Sequence, residues 1–306
     1  MFTKKTNFKP MKADAIVAAY RKNVLVFWIL HALTVVVLIG IAVAVLTQKM
    51  TLINAAFSAV FMVILNYLFY IGRTYQYHML SQVLNQCCDP VKSEKVFRAL
   101  YESKIKKNIS LLNVARAQYY QGKFQQALDT LQNVTRPKAD SIDVFVYYNV
   151  MAYCYEGLGQ MDMVIDVRER VKKVMNGMKE NAPNLRNGQQ LLTLIDGVLT
   201  FHEGSYSRSR EIYEELFESS TFPLSRMTVL CKLAKMEQVT GSTRSAIDHC
   251  EYVLDAGGTT FYVKEAREIM ALCRPKKKSA QETPEQPETA QQEETDDGAQ
   301  SDPAEN

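Results

Sequence analysis

Residues 122–131 read GKFQQALDTL. A glycine opens the stretch, Phe124 follows, and a small-then-large pair, Ala127 and Leu128, lies about one helical turn beyond. A glycine behind an apolar helical run suits the left-handed residue that ends a helix. The run before it, SLLNVARAQYYQ at 110–121, spaces its apolar and small residues at helical intervals. The stretch therefore reads as the turn and second arm of a helical pair.

It has three looser copies. Aligned on Gly122, the segment SLLNVARAQYYQGKFQQALDTLQNV from 110 is followed by YYNVMAYCYEGLGQMDMVIDVRERV from 147. LTLIDGVLTFHEGSYSRSREIYEEL from 192 and VLCKLAKMEQVTGSTRSAIDHCEYV from 229 complete the set. Gly122, Gly159, Gly204 and Gly241 are spaced 37, 45 and 37 residues apart. A small residue precedes each by seven positions (Ala115, Ala152, Gly197, Ala234), where two helices of a pair would approach closely. Five positions after each glycine come Ala127, Val164, Ser209 and Ala246. A glycine turn at such a period indicates helix pairs stacked as a solenoid.

This pattern resembles the tetratricopeptide repeat and covers 108–258, half the chain. Pro137 and Pro223 fall near the ends of the first and third units. The match is uneven: Val164 and Ser209 stand where Ala is usual, Arg168 takes a normally apolar position, and no unit has the usual Trp. The resemblance implies an all-α, right-handed solenoid whose first helices line a concave groove for an extended or helical peptide. By position, that groove would present Arg116, Tyr119, Tyr120, Asn149, Tyr153, His202, Lys232 and Lys235. Such a basic, aromatic set would favour protein or peptide ligands with acidic segments.

Upstream, the chain changes character. Residues 24–46, VLVFWILHALTVVVLIGIAVAVL, and 52–71, LINAAFSAVFMVILNYLFYI, are each long enough to cross about 30 Å of hydrocarbon as a helix. Only TQKMT at 47–51 separates them, which predicts an antiparallel hairpin over 24–72. Residues 1–23 carry Lys4, Lys5, Lys9, Lys12, Arg21 and Lys22 against Asp14, while the turn holds only Lys49. The positive-inside rule then places both termini in the cytoplasm of, most simply, a bacterial plasma membrane. His31 and Asn66 interrupt the apolar runs at similar depth and are expected to hydrogen-bond across the hairpin.

Residues 73–107 read as linking and capping helices. The segment 73–87 is expected to continue the second span, and Asp89-Pro90 to start a new helix. Residues 259–274 read as a C-terminal cap, and 275–306 as a disordered acidic tail. The formal charge of +3 divides into −9 on residues 279–306 and +12 on the remainder. That basic body suits an anionic bilayer surface or acidic proteins and does not by itself indicate nucleic acid.

No catalytic or cofactor constellation emerges. There is no G-x-x-x-x-G-K-[ST], G-x-S-x-G or H-E-x-x-H, and GLG at 157–159 sits at a repeat turn without a preceding strand. None of the six cysteines (Cys87, Cys88, Cys154, Cys231, Cys250, Cys273) has C-x-x-C spacing, so no metal site is expected and the thiols read as reduced. The expectation is a non-enzymatic, membrane-anchored scaffold that binds partner proteins. The alternative is an accessory subunit of a membrane secretion, envelope-assembly or division complex, whose hairpin contacts other membrane helices.

Overall fold

The computed structural model describes residues 1–274; the acidic stretch 275–306, read above as disordered, lies outside the described residues. Among the described residues there are thirteen helices and no strand. They are α1 (Ala13–Leu46), α2 (Leu52–Met79), α3 (Gln82–Asn85), α4 (Pro90–Glu102), α5 (Lys107–Tyr120), α6 (Phe124–Gln132) and α7 (Ile142–Gly157). Then come α8 (Met161–Asn176), α9 (Leu185–His202), α10 (Tyr206–Ser219), α11 (Pro223–Thr240), α12 (Thr243–Ala256) and α13 (Tyr262–Cys273).

Helices α5 to α12 are the four repeated pairs. Their turn glycines all sit at positive φ, from 72° to 84°. The residue after each glycine donates its N–H back to the carbonyl five positions earlier: Lys123 to Gln118 at 3.0 Å, Gln160 to Tyr155 at 2.9 Å, Ser205 to Thr200 at 2.9 Å and Ser242 to Glu237 at 2.8 Å. This is the Schellman closure that a left-handed glycine permits. The seams behind the turns are tight, with Ala115, Ala127, Val164, Ser209, Ala234 and Ala246 all fully buried.

The irregular third seam is compensated. Ser209 Oγ donates to the Gly197 carbonyl at 2.9 Å, so its hydroxyl is satisfied inside the pair. Gly197 supplies the space, since a Cβ there would lie 3.0 Å from Ile212 Cγ2. Arg168 also finds a partner: its Nε donates to Asp196 Oδ1 of α9 at 2.6 Å.

Helices α1 and α2 form an antiparallel hairpin with its turn at 47–51. Phe27 packs where Gly72 has no side chain, and a Cβ on Gly72 would come 2.5 Å from the ring. His31 Nδ1 and Asn66 Oδ1 meet across the helices, and Thr34 Oγ1 donates to the same oxygen at 2.8 Å. The outward faces are apolar and uncovered: Val36 is 63% exposed, Ile39 60% and Phe57 74%.

The segment 1–23, read above as a basic N-terminus, is not a loose extension of the hairpin. Phe2 and Phe8 are buried, and α1 is already helical from Ala13. The Phe2 backbone exchanges two hydrogen bonds with the buried Gln76 side chain, at 2.8 and 3.0 Å. Phe2, Phe8, Ile16 and Tyr20 form one core with Tyr77, Leu80, Val83, Val96, Phe97, Leu100 and Val114. The base of the hairpin is thus packed into the array through α4 and α5. Helix α4 starts as expected: Asp89 accepts from the Lys92 N–H at 2.9 Å and Pro90 occupies the first turn. The second apolar helix ends at Met79 rather than near 87, and a short α3 follows.

The array also meets its own beginning. Thr259 N–H donates to the Cys88 carbonyl at 3.1 Å, and Phe261 N–H to the Tyr120 carbonyl at 2.9 Å. Thr259 Oγ1 adds a bond to Asp89 Oδ1 at 3.1 Å, and the Tyr119 and Tyr262 hydroxyls are hydrogen-bonded. The start of α13 is therefore held against the α3–α4 connection and the end of α5.

Candidate partner-binding cleft

The first helices of the four pairs, α5, α7, α9 and α11, contribute to the lining of one shared cavity, with the end of α10 beside them. Between them lies a cleft of about 480 Å³. Phe145 and Val146 of α7, Leu191 and Leu194 of α9, Val229 of α11 and Phe222 give it apolar walls. Asn149, Asn187, Gln190, Ser219, Ser220 and Ser225 put amides and hydroxyls around them. Arg116 is the single charged residue of the lining. It donates to Asn85 Oδ1 at 2.7 Å and lies 5.9 Å from the Tyr120 ring centroid.

The structure divides the eight positions expected in the groove. Arg116, Tyr120, Asn149 and Tyr153 line this cleft. Tyr119 does not: it is 2% exposed, stacked on Tyr153 at 5.2 Å and covered by Phe261 and Tyr262 of the closing segment. Burial pushes the Tyr119 and Tyr153 phenols well above the usual range, so both stay neutral. Lys232 is no open cation either. Its ammonium is paired with Glu156 of α7, and both side chains are largely buried. Burial alone would depress the ammonium; Glu156, and Glu265 on α13, outweigh it and hold its pKa above the ordinary value. Lys235 and His202 lie exposed outside the cleft, with Lys235 Nζ 6.0 Å from the Phe201 centroid.

The cleft consequently carries one cation, Arg116, where the resemblance suggested a groove with several. The wall residues missed from the sequence, Phe145, Gln190, Leu194 and Ser225, sit on the same three helices. Their signal was available: each lies between one and about three turns before its helix's predicted groove residue, on the first half of a repeat. All six cysteines are unpaired, with Cys88, Cys154, Cys231 and Cys250 buried. Among the described residues no cluster of His, Cys, Asp and Glu could hold a metal ion.

The family model of the SusR N-terminal TPR domain matches residues 95–250, half of the chain. The chain belongs to this family. The matched stretch of the SusR-type TPR domain begins inside α4 and ends inside α12. The hairpin and α13 lie outside it. No curated protein and no solved structure matches the chain. A TPR domain is a module for protein–protein interaction, and two helices ahead of it are long and apolar enough to cross a membrane.

Proposed function

We propose that the chain is a non-enzymatic scaffold, anchored in a membrane by α1 and α2, that holds partner proteins in its concave cleft on the cytoplasmic side. The observation that carries the binding half is the cleft itself: apolar walls rimmed by amides and hydroxyls, on the face where four helix pairs converge. Such a lining suits an uncharged peptide segment with one or two large apolar side chains, whose backbone the Asn149, Asn187 and Gln190 amides can bond. Arg116 leaves room for one acidic group. Crosslinking pull-down of the full-length protein tests this. Asn149→Ala with Gln190→Ala should lower partner recovery about tenfold, because two peptide hydrogen bonds are lost. Lys235→Glu, outside the cleft, should leave it unchanged. Partners insensitive to the first pair and lost with the second would move the site away from the cleft.

The anchoring half rests on the uncovered apolar faces of α1 and α2. Surfaces of that extent need a lipid or protein cover, and both helices keep their apolar windows almost wholly unburied in the fold. Membrane-impermeant thiol labelling in intact cells tests the orientation. A cysteine replacing Lys49 should label from outside, and one replacing Thr3 should label only after lysis. Reversed labelling would put the cleft on the other side.

A further inference from the structure

The hairpin's base carries an unused cationic site. At the level of the Phe27–Gly72 contact, Phe27, Trp28, His31, Asn66, Tyr70 and Arg73 surround a notch of about 120 Å³ between α1 and α2. The Arg73 guanidinium lies 4.6 Å from the Trp28 ring centroid and 5.7 Å from that of Tyr70. Among the described residues no carboxylate pairs with it. The floor is closed by a fixed network. Asn66 Nδ2 donates to the Met62 carbonyl at 3.1 Å, so its oxygen faces His31 and Thr34 and accepts from both.

A second cation lies against α2 one turn beyond the notch. The connection after α4 carries Lys104 and Lys106, both at positive φ, and Lys107 opens α5. Arg21 of α1 pins this connection by donating to Ser103 Oγ at 2.6 Å. Lys106 Nζ lies 4.5 Å from the Tyr77 ring centroid. Burial first, and then the charge of Arg73, hold the Lys106 ammonium below its ordinary pKa. Tyr77 lies one turn beyond Arg73 on α2, so its ring sets Lys106 on the array side of the Arg73 guanidinium, and Asp143 is the acidic group whose charge opposes that of Arg73 on Lys106. Trp28 and Tyr70 are the amphipathic rings that favour headgroup depth.

We propose that this notch binds the phosphate of an anionic phospholipid, with Arg73 as its direct ligand and Lys106 as the second cation. The guanidinium, oriented by Trp28 and Tyr70, offers a planar pair of donors to two phosphate oxygens. The proposal rests on the membrane reading above.

Trp28 is the chain's one tryptophan and stands in the notch, so its emission reports occupancy. The full-length protein would be reconstituted in phosphatidylcholine vesicles holding a small fraction of chain-brominated phosphatidylglycerol or chain-brominated phosphatidylcholine. The anionic lipid should quench Trp28 at about fivefold lower mole fraction. Arg73→Gln should abolish the preference. Lys106→Asn, which tolerates the left-handed backbone, should reduce it, and Arg170→Gln on α8 should not. Circular dichroism would confirm that each variant is folded. Equal quenching by both lipids, or a preference that survives Arg73→Gln, overturns the site. Loss of the preference on adding inorganic phosphate also overturns it, in favour of a soluble anion. Absence of quenching by either lipid removes the membrane reading beneath it.

Discussion

Gly258→Ala should separate the end of the repeat array from its start. Gly258 sits at φ 56°, and a Cβ there would lie 2.4 Å from the Cys88 carbonyl oxygen and 3.0 Å from its carbon. Both partners are backbone, so neither can swing aside. The left-handed residue and the displaced contact together should cost about 2–4 kcal/mol. The bonds from Thr259 to Cys88 and from Phe261 to Tyr120 are the ones at risk. Hydrogen exchange should show Thr259 and Phe261 losing protection while the mid-array helices keep theirs. Gly159→Ala is the control, because Gly159 has φ 72° but open space around its Cβ position. It should cost about 1 kcal/mol and leave Phe261 protected. Equal loss from the two substitutions would mean that the closure adds nothing. Solenoids with free ends unfold from those ends; here both ends share one seam, so the wild-type array should melt in a single transition and the Gly258 variant in a broadened one.

Lys232→Ala should be the most damaging change on the concave side. The substitution strands the Glu156 carboxylate, whose side chain is 12% exposed, and leaves Glu265 of α13 beside it. Breaking a buried pair by removing one partner costs about 3–5 kcal/mol, whereas replacing both by apolar groups is often neutral. Thermal melts of the full-length protein should therefore show a large fall for Lys232→Ala and near-recovery for Lys232→Met with Glu156→Leu. A loss under about 1 kcal/mol for the single variant would class the pair with solvent-screened surface bridges.

The two results mark where reading the chain succeeds and stops. The repeated helix pairs were legible because they are specified locally: Gly122 and its three counterparts sit within a few residues of the carbonyls they cap, and the seam residues lie seven before or five after them. The hairpin was legible for the same reason, two apolar runs joined by five residues. What escaped depends on contacts distant in sequence. Tyr119 looks like a groove residue until Tyr262, 143 positions later, covers it. Lys232 looks like a free groove cation until Glu156, 76 positions earlier, neutralises it. The double glycine at 257–258 ahead of Phe261-Tyr262 was the available hint, since adjacent glycines mark a place where backbone approaches backbone. The cleft's single remaining cation, Arg116, follows in part from the same two pairings, which remove a ring and a charge from the face they were expected to furnish.

The core shared by Phe2, Phe8, Ile16, Tyr20, Tyr77, Phe97 and Val114 has a mechanical consequence. Helix α1 passes into it without a break, α2 reaches it at Tyr77, and α4 and α5 pack on the same side chains, so no hinge lies between hairpin and cleft. Any tilt imposed on the hairpin is passed to the cleft as an equal rotation. A neighbour that leaned on the hairpin would therefore swing the mouth of the cleft with it.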